Sequence, residues 1–367
     1  MSGLNRTASL PPLGTLRACL PCLLLALVML LAGCGARVAP VWLRPQPPQV
    51  RKRDYLVEIR EREARQHPGS ILHKIRLAQA YLEAGEPLLA REKFQEVLGL
   101  DEHNVEALVG MGDVASAAGD FAAAVAWHQR ALEVAESSAA VRQSLGDVYL
   151  QANDPLRAAE EFRKAAEQAP EEVGPLLSIS EAYRIAGRLE QAAAACRRAM
   201  ALDPTDPRPH VNSGALFEVQ GQYDRAEAAY RRAIELDPGE GTGQNNLAYL
   251  WAKRGVRLDE ALELAQQAVA VATDATRGSF LDTLGTVLYA KGEPEAALEA
   301  LTAAKRELPW SATIRYHLGL AYYATGYQEH AVTELRQSLA LSPRGEHAAE
   351  AEALLRRLAP EAMGVEI

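Results

Sequence analysis

Side chains suited to chemistry are few in this chain, and they are scattered. There are four cysteines, Cys19, Cys22, Cys34 and Cys196, and eight histidines. None of His67, His73, His103, His128, His210, His317, His330 and His347 forms a metal-spaced pair on one helix face, so packing or surface roles are expected. No Walker loop, HExxH, paired CxxC or GxSxG run is present. Cys196 falls in an apolar helical register and reads as a core residue, with a catalytic thiol as the alternative. Glu160-Glu161 and Glu171-Glu172 read as a solvated face. The formal charge of −9 opposes general nucleic-acid affinity, which needs a basic face to displace counterions. The expectation is a protein that is not an enzyme, with no cofactor, no metal and no small-molecule substrate.

The amino terminus has its own character. Arg6 and Arg17 supply a positive region, and Leu23 to Ala32 is a run of ten apolar residues. That is about half of the roughly 20 a spanning helix needs, and it is the build of a secretory signal. Its end, Leu31-Ala32-Gly33-Cys34, resembles the lipobox of bacterial lipoproteins. The resemblance implies removal of residues 1–33, a diacylglyceryl thioether on Cys34 and an acylated amino group. Three acyl chains exceed the two signals that stable anchoring requires. Gly35 after the cysteine, rather than Asp, resembles an outer-membrane sorting signal. The alternative is an ordinary cleaved signal with Cys34 incidental. Cleavage leaves only Cys34 and Cys196, so no intramolecular disulfide is expected and stability must come from packing.

Residues 34–50 carry Pro40, Pro45, Pro47 and Pro48, which favour an extended tether of about 50 Å at roughly 3.1 Å per residue. Arg37, Arg44, Arg51, Lys52 and Arg53 precede the first acid, Asp54, and suit either an anionic membrane surface or solvent. Residues 51–70 have the composition of a leading helix.

From Ile71 a period of 34 residues begins, giving repeats 71–104, 105–138, 139–172, 173–206, 207–240, 241–277, 278–311 and 312–345. The eighth position is always small: Ala78, Gly112, Gly146, Ser180, Gly214, Ala248, Gly285 and Gly319. The twentieth is Ala throughout, from Ala90 to Ala331. Position 11 is bulky in seven repeats, for example Tyr149, Phe217 and Trp251, and Ala115 in the second. Position 15 is Gly in seven repeats and Asn153 in the other, the types that end a helix in the left-handed region. Pro170, Pro204, Pro238, Pro309 and Pro343 then break the chain between repeats. Each unit reads helix, glycine turn, helix, proline break. The first two repeats are expected to pack more loosely, because Ala115 and His128 replace large core residues. The stripe Ala348, Ala351, Leu354, Leu355 and Leu358 within 346–358 suits a capping helix.

The pattern over 71–345, typified by Gly221–Pro238 (GQYDRAEAAYRRAIELDP), resembles the tetratricopeptide repeat family. The resemblance implies an all-α fold, a right-handed α-α superhelix of eight helix-turn-helix repeats with a C-terminal cap. It also implies a concave groove for a protein or peptide partner, lined by positions 2, 5, 9, 12 and 13 of each first helix. In repeats five to eight those positions offer Arg208, Glu218, Asn245, Tyr249, Lys253, Asp282, Tyr289, Tyr316 and Tyr323. Tyrosine is enriched at binding hot spots, so the partner groove is expected there; the alternative is that these tyrosines fill space between helices. Repeats two to four offer Glu106, Asp113, Gln143, Asp147, Glu181 and Arg184, an acidic and polar set. The Lys and Asn of the family's carboxylate clamps are missing: positions 5 and 9 read Ile75/Gln79, Val109/Asp113, Gln143/Asp147 and Leu177/Glu181.

The combined expectation is a scaffold or assembly factor lipid-anchored in a bacterial envelope, at the outer membrane facing the periplasm. It resembles the repeat lipoproteins that include pilotins for pilus or secretin machines and adaptors for peptidoglycan enzymes. The rival reading is a subunit of an exopolysaccharide export or modification system.

Overall fold

The computed structural model describes residues 50–359, with side chains from Tyr55 onward. The signal, Cys34 and all but the last residue of the tether lie outside the described residues, as do residues 360–367. Eighteen helices and no strand occur among the described residues. No helix there is long and apolar enough to cross a membrane.

A leading helix, α1 (Val50–Gln66), precedes eight antiparallel pairs. The pairs are α2 (Ile71–Glu83) with α3 (Pro87–Leu100), α4 (Val105–Ala117) with α5 (Phe121–Val134), α6 (Ala139–Gln151) with α7 (Pro155–Gln168) and α8 (Val173–Ile185) with α9 (Leu189–Leu202). There follow α10 (Arg208–Val219) with α11 (Tyr223–Leu236), α12 (Thr242–Arg254) with α13 (Leu258–Val271), α14 (Arg277–Ala290) with α15 (Pro294–Glu307) and α16 (Ala312–Ala324) with α17 (Gln328–Leu341). The cap is α18 (Ala348–Leu358).

One turn chemistry serves all eight pairs. The residue at position 15 has positive φ, from 57° at Asn153 to 83° at Gly326. That reversal lets the next backbone N–H reach five residues back to the carbonyl of position 11. Glu86 N to Tyr81 O, Gln222 N to Phe217 O and Tyr327 N to Tyr322 O are examples, at 2.8 to 2.9 Å. The orphan carbonyls of each first helix are thereby satisfied. Ser70, Asn104, Ser138 and Ser311 cap first helices by accepting a backbone N–H three residues on.

Each pair closes over a small residue. A Cβ on Gly112 would meet the His128 ring at 2.6 Å, one on Gly146 would meet Phe162 at 2.4 Å, and one on Gly214 would meet Tyr230 at 2.4 Å. Gly285 faces Leu301 and Gly319 faces Leu335 in the same way. In the fourth pair Ser180 Oγ lies 3.0 Å from Cys196 Sγ, and both are buried. A small residue on the first helix is thus matched to a larger one, 16 positions later, on the second. The first two repeats are no looser at this position: Phe94 is 1% exposed and His128 0%. The difference at the second repeat is polarity, because neither His128 nitrogen has a hydrogen-bond partner.

The sixth pair differs. Its turn holds Val256 and Arg257, and Arg257 is left-handed at φ 49°. The guanidinium reaches Glu227 Oε1 of the previous repeat at 3.0 Å. Trp251 donates its indole N–H to Glu227 Oε2 at 2.9 Å, with Arg231 and Arg257 both over its ring. The extra residue therefore straps repeat six to repeat five.

The cap begins at Ala348, two residues later than the sequence pattern suggests. Ala351, Leu354 and Leu355 bury against Leu335, while Glu346 and His347 stand in the turn before it.

Candidate protein-binding face

Helices α2, α4, α6, α8, α10, α12, α14 and α16 each approach a neighbouring first helix, and the second helices make no comparable contacts. The first helices therefore line one side of the array. Side-chain bridges mark it: Gln143 Nε2 donates to Ser178 Oγ at 3.2 Å, and Ser116 Oγ to Gln151 Oε1 at 2.6 Å.

On this side, in repeats five to eight, several of the nominated residues converge. Glu218 accepts a hydrogen bond from Tyr230 Oη, and burial raises its pKa despite that bond and the nearby Lys253. Tyr249 is raised by burial, then by the negative charges of Glu346, Asp282 and Glu218. Lys253 sits 6.0 Å from the Tyr249 ring centroid and pairs with Glu346 at 3.1 Å. Burial works against ionisation of Glu346, but the hydrogen bond and charge of Lys253 outweigh it and lower the pKa. Asp282 Oδ1 lies 2.8 Å from His317 Nδ1. Tyr316 stacks on His347 with centroids 4.4 Å apart and planes within 6°. Burial raises the Tyr316 pKa, with Glu350 and Tyr289 adding to it. Glu218, Tyr249, Lys253, Asp282, Tyr289 and Tyr316 are thus one electrostatic neighbourhood drawn from four successive repeats.

The other nominated residues stand apart or differ in exposure. Arg208 is tied to Asp206 at the start of α10, with guanidinium–carboxylate distances of 2.6 to 3.1 Å. Tyr323 packs under the cap, and its hydroxyl accepts from Arg357 at 3.2 Å. Asn245 and Asp282 are buried at 9% exposure rather than open to the groove, and Asn245 Oδ1 has no partner. Tyr316 is shared between the groove and the cap, since it also packs against α18. Sequence reasoning missed His317, Glu346 and His347. Burial, then the neighbouring His317, lowers the His347 pKa, and its Nε2 has no partner. The signal was Ser342-Pro343-Arg344-Gly345, which breaks the chain before the cap can start.

In repeats two to four the same side carries carboxylates. Glu181 is neutralised by a two-pronged hydrogen bond from Arg184 at 2.6 and 2.7 Å. Asp113 and Asp147 have no Lys or Arg at ion-pair distance among the described residues. Burial, with Asp147 adding repulsion, raises Asp113 to about 6. Its side chain is nonetheless 50% exposed, so solvent screens much of that effect. Among the described residues no group of three His, Cys, Asp or Glu could hold a metal ion. Cys196 is buried, and burial raises its thiol pKa.

Tetratricopeptide repeat profiles match residues 144–207, 214–277 and 283–346, and a second such profile matches 103–171. No curated protein sequence matches the chain. Among solved structures, the APC/C hetero-tetramer Cut9-Hcn1 superposes with a TM-score of 0.54 at 18% identity. That match covers 84% of this chain and 59% of that one, so the chain spans about three fifths of its length. YrrB, described as a tetratricopeptide protein with an unusual peptide-binding site, matches at 23% identity and a TM-score of 0.36, over 53% of this chain and 99% of that one. MamA matches at 22% identity and a TM-score of 0.36, over 44% and 94%. With eight helix pairs closed by one turn, six of them also by a small residue set against a larger one, and with profile matches over more than half its length, the chain belongs to the tetratricopeptide repeat family.

Proposed function

We propose that this protein is a non-catalytic scaffold that binds a protein or peptide partner on the inner side of repeats five to eight, and that it is lipid-anchored in a bacterial envelope. The observation that carries the binding reading is the convergence of Glu218, Tyr249, Lys253, Asp282 and Tyr316 on one neighbourhood. Packing alone does not require such a set. An acid, a base and aromatic rings from successive repeats form a recognition surface for polar and apolar groups together. The lipobox resemblance at Leu31–Cys34 supports the anchor, with the outer membrane, facing the periplasm, as the destination. Assistance to a pilus or secretin machine is the favoured pathway.

Two experiments test this. A photo-crosslinking residue at Tyr249 or Tyr289 in living cells, followed by mass spectrometry, identifies the partner. The double variant Tyr249→Ala/Tyr289→Ala should fold and lose that crosslinked partner; undiminished capture overturns the groove. Palmitate labelling should be lost in Cys34→Ser, and a label that persists overturns the anchor.

A further inference from the structure

The connection from α17 to the cap is six residues long, Ser342 to His347, where the seven connections between repeats run four or five. Ser342-Pro343-Arg344-Gly345 has the residue types of a β-turn, and Gly345 N–H closes it by donating to Ser342 O at 3.2 Å. A second turn follows, with Ala348 N–H donating to Gly345 O at 3.1 Å. A Cβ on Gly345 would meet Ser342 Oγ at 2.5 Å, so this fold of the chain depends on glycine. An earlier helix start at Glu346 would add intrahelical hydrogen bonds to α18. The chain instead holds Glu346 and His347 out of the helix.

Both residues so released land among those named for partner binding. Glu346 reaches back 93 positions to pair with Lys253 at 3.1 Å. Burial raises the Tyr249 pKa most, and among the charges that add to it Glu346 comes first, ahead of Asp282 and Glu218. His347 lies flat on the Tyr316 ring, with centroids 4.4 Å apart and planes within 6°. Seating the cap does not require this, because Ala351, Leu354 and Leu355 already bury against Leu335. The contacts are also easily given up. The Lys253–Glu346 pair is more than half exposed on both sides, and such pairs are weak. His347 Nε2 is buried without a partner, which costs stability while the turn is seated.

We propose that the Glu346–His347 turn is an autoinhibitory stand-in for the partner, and that the partner displaces it with a segment carrying a carboxylate beside a planar ring. The proposal rests on the reading of repeats five to eight as the binding face. A carboxylate and a flat ring now occupy Lys253 and Tyr316, so a competing segment takes the same two seats with the same chemistry. Glu218 and Asp282 repel a carboxylate placed elsewhere on this face, which leaves Lys253 as its seat. The affinity the partner experiences is then its intrinsic affinity reduced by the fraction of chains whose turn has swung out.

Glu346→Gln/His347→Ala empties both seats and leaves α18 and the groove residues in place. The probe is a fluorescein-labelled peptide reproducing residues 341–348, LSPRGEHA, titrated by anisotropy against the purified full chain. It should bind the double variant at least about threefold more tightly than wild type, with the circular dichroism spectrum unchanged. The gain should disappear when the peptide carries Gln in place of its Glu, or when Lys253→Gln is added to the variant. Glu352→Gln, an acid on α18 paired with Arg356, should leave binding at the wild-type level. Equal binding to wild type and the emptied variant overturns the autoinhibition, and no binding to the emptied variant overturns the stand-in. The in-cell crosslink at Tyr289 separates this proposal from the groove itself. The adduct should increase by about threefold in the emptied variant. An equal adduct overturns the autoinhibition alone, and no adduct in either chain overturns the groove as well.

Discussion

Lys253 Nζ lies 3.1 Å from Glu346 Oε1, a residue 93 positions further along the chain. The array therefore curls far enough for repeat six to touch the turn that follows repeat eight. Both side chains are more than half exposed, and such a pair contributes about 0.2–1 kcal/mol. Lys253→Glu should leave the global melting temperature within about 2 °C of wild type. Its effect should be local: faster hydrogen exchange over residues 342–348, restored by adding Glu346→Lys. Unchanged exchange in the single variant would show that the turn is held by the Tyr316–His347 stack alone.

Gly214 sets packing against helix propensity. Alanine at a helix-interior glycine gains about 1 kcal/mol, but overpacking costs typically 1–3 kcal/mol. A Cβ 2.4 Å from the Tyr230 ring cannot be accommodated without movement, so overpacking wins. Gly214→Ala should destabilise by up to about 2 kcal/mol, and Gly99→Ala, where nothing lies within 4 Å, should stabilise by a few tenths. Urea denaturation of both variants decides it. Tyr230→Ala combined with Gly214→Ala should be less than additive, because the smaller residue removes the clash.

Acidification places His128 and Asp113 in opposition. His128 is lowered by burial from 6.5 to about 4, so between those values the unfolded chain takes up a proton the folded chain refuses, and stability falls as pH falls. Asp113 is raised from 3.8 to about 6, so in that window the folded chain holds the extra proton and stability rises as pH falls. His128 is fully enclosed, whereas Asp113 is half exposed and its contribution is screened. From pH 7 to pH 5 the histidine term is about 2 kcal/mol against well under 1 for the aspartate. Burial lowers His210 and His347 as well, in the same sense as His128. The melting temperature should therefore drop over this range, and His128→Phe should flatten the drop. A wild-type profile that rises toward pH 5 would reverse the ranking.

The sixth turn tests a backbone cost against side-chain contacts. A left-handed non-glycine residue costs about 1–2 kcal/mol, which the Glu227 ion pair and the Trp251 face offset. Arg257→Ala keeps the cost and loses the contacts, so it should destabilise by about 1–2 kcal/mol. Arg257→Gly loses the contacts but removes the cost, so it should be the milder change in the same urea titration.

The helical pairs were legible in the residues because their causes are local. Gly85, Asn153 and Gly326 announce a positive φ, and Gly112, Gly146 and Gly214 announce a close helix approach, whatever lies elsewhere. The groove was legible only in outline. A period of 34 tells which face Tyr249 and Lys253 share, but not how tightly the array curls, so Glu346 could not be placed beside Lys253. Asn245 and Asp282 were assigned to the open face by register. Burial between neighbouring first helices, closest at α12 and α14, encloses them. Tyr323 was assigned likewise, and the cap covers it because α18 packs across the end of the same face. Arg257 was beyond reach, since one inserted residue does not reveal which side chain it turns outward.

The pairing of Ser180 with Cys196 also bears on descent. At this junction a hydroxyl faces a thiol, where Gly214 faces a phenol and Gly146 a phenyl ring. The ring that Gly146 admits at Phe162 would meet the Ser180 side chain if placed at position 196, and an alanine-sized partner leaves a hole opposite glycine. Drift at either site is therefore licensed by the other, 16 residues away. Among descendants of this chain the two positions should change as couples, so that each repeat inherits its own matched lock while the 34-residue frame stays fixed.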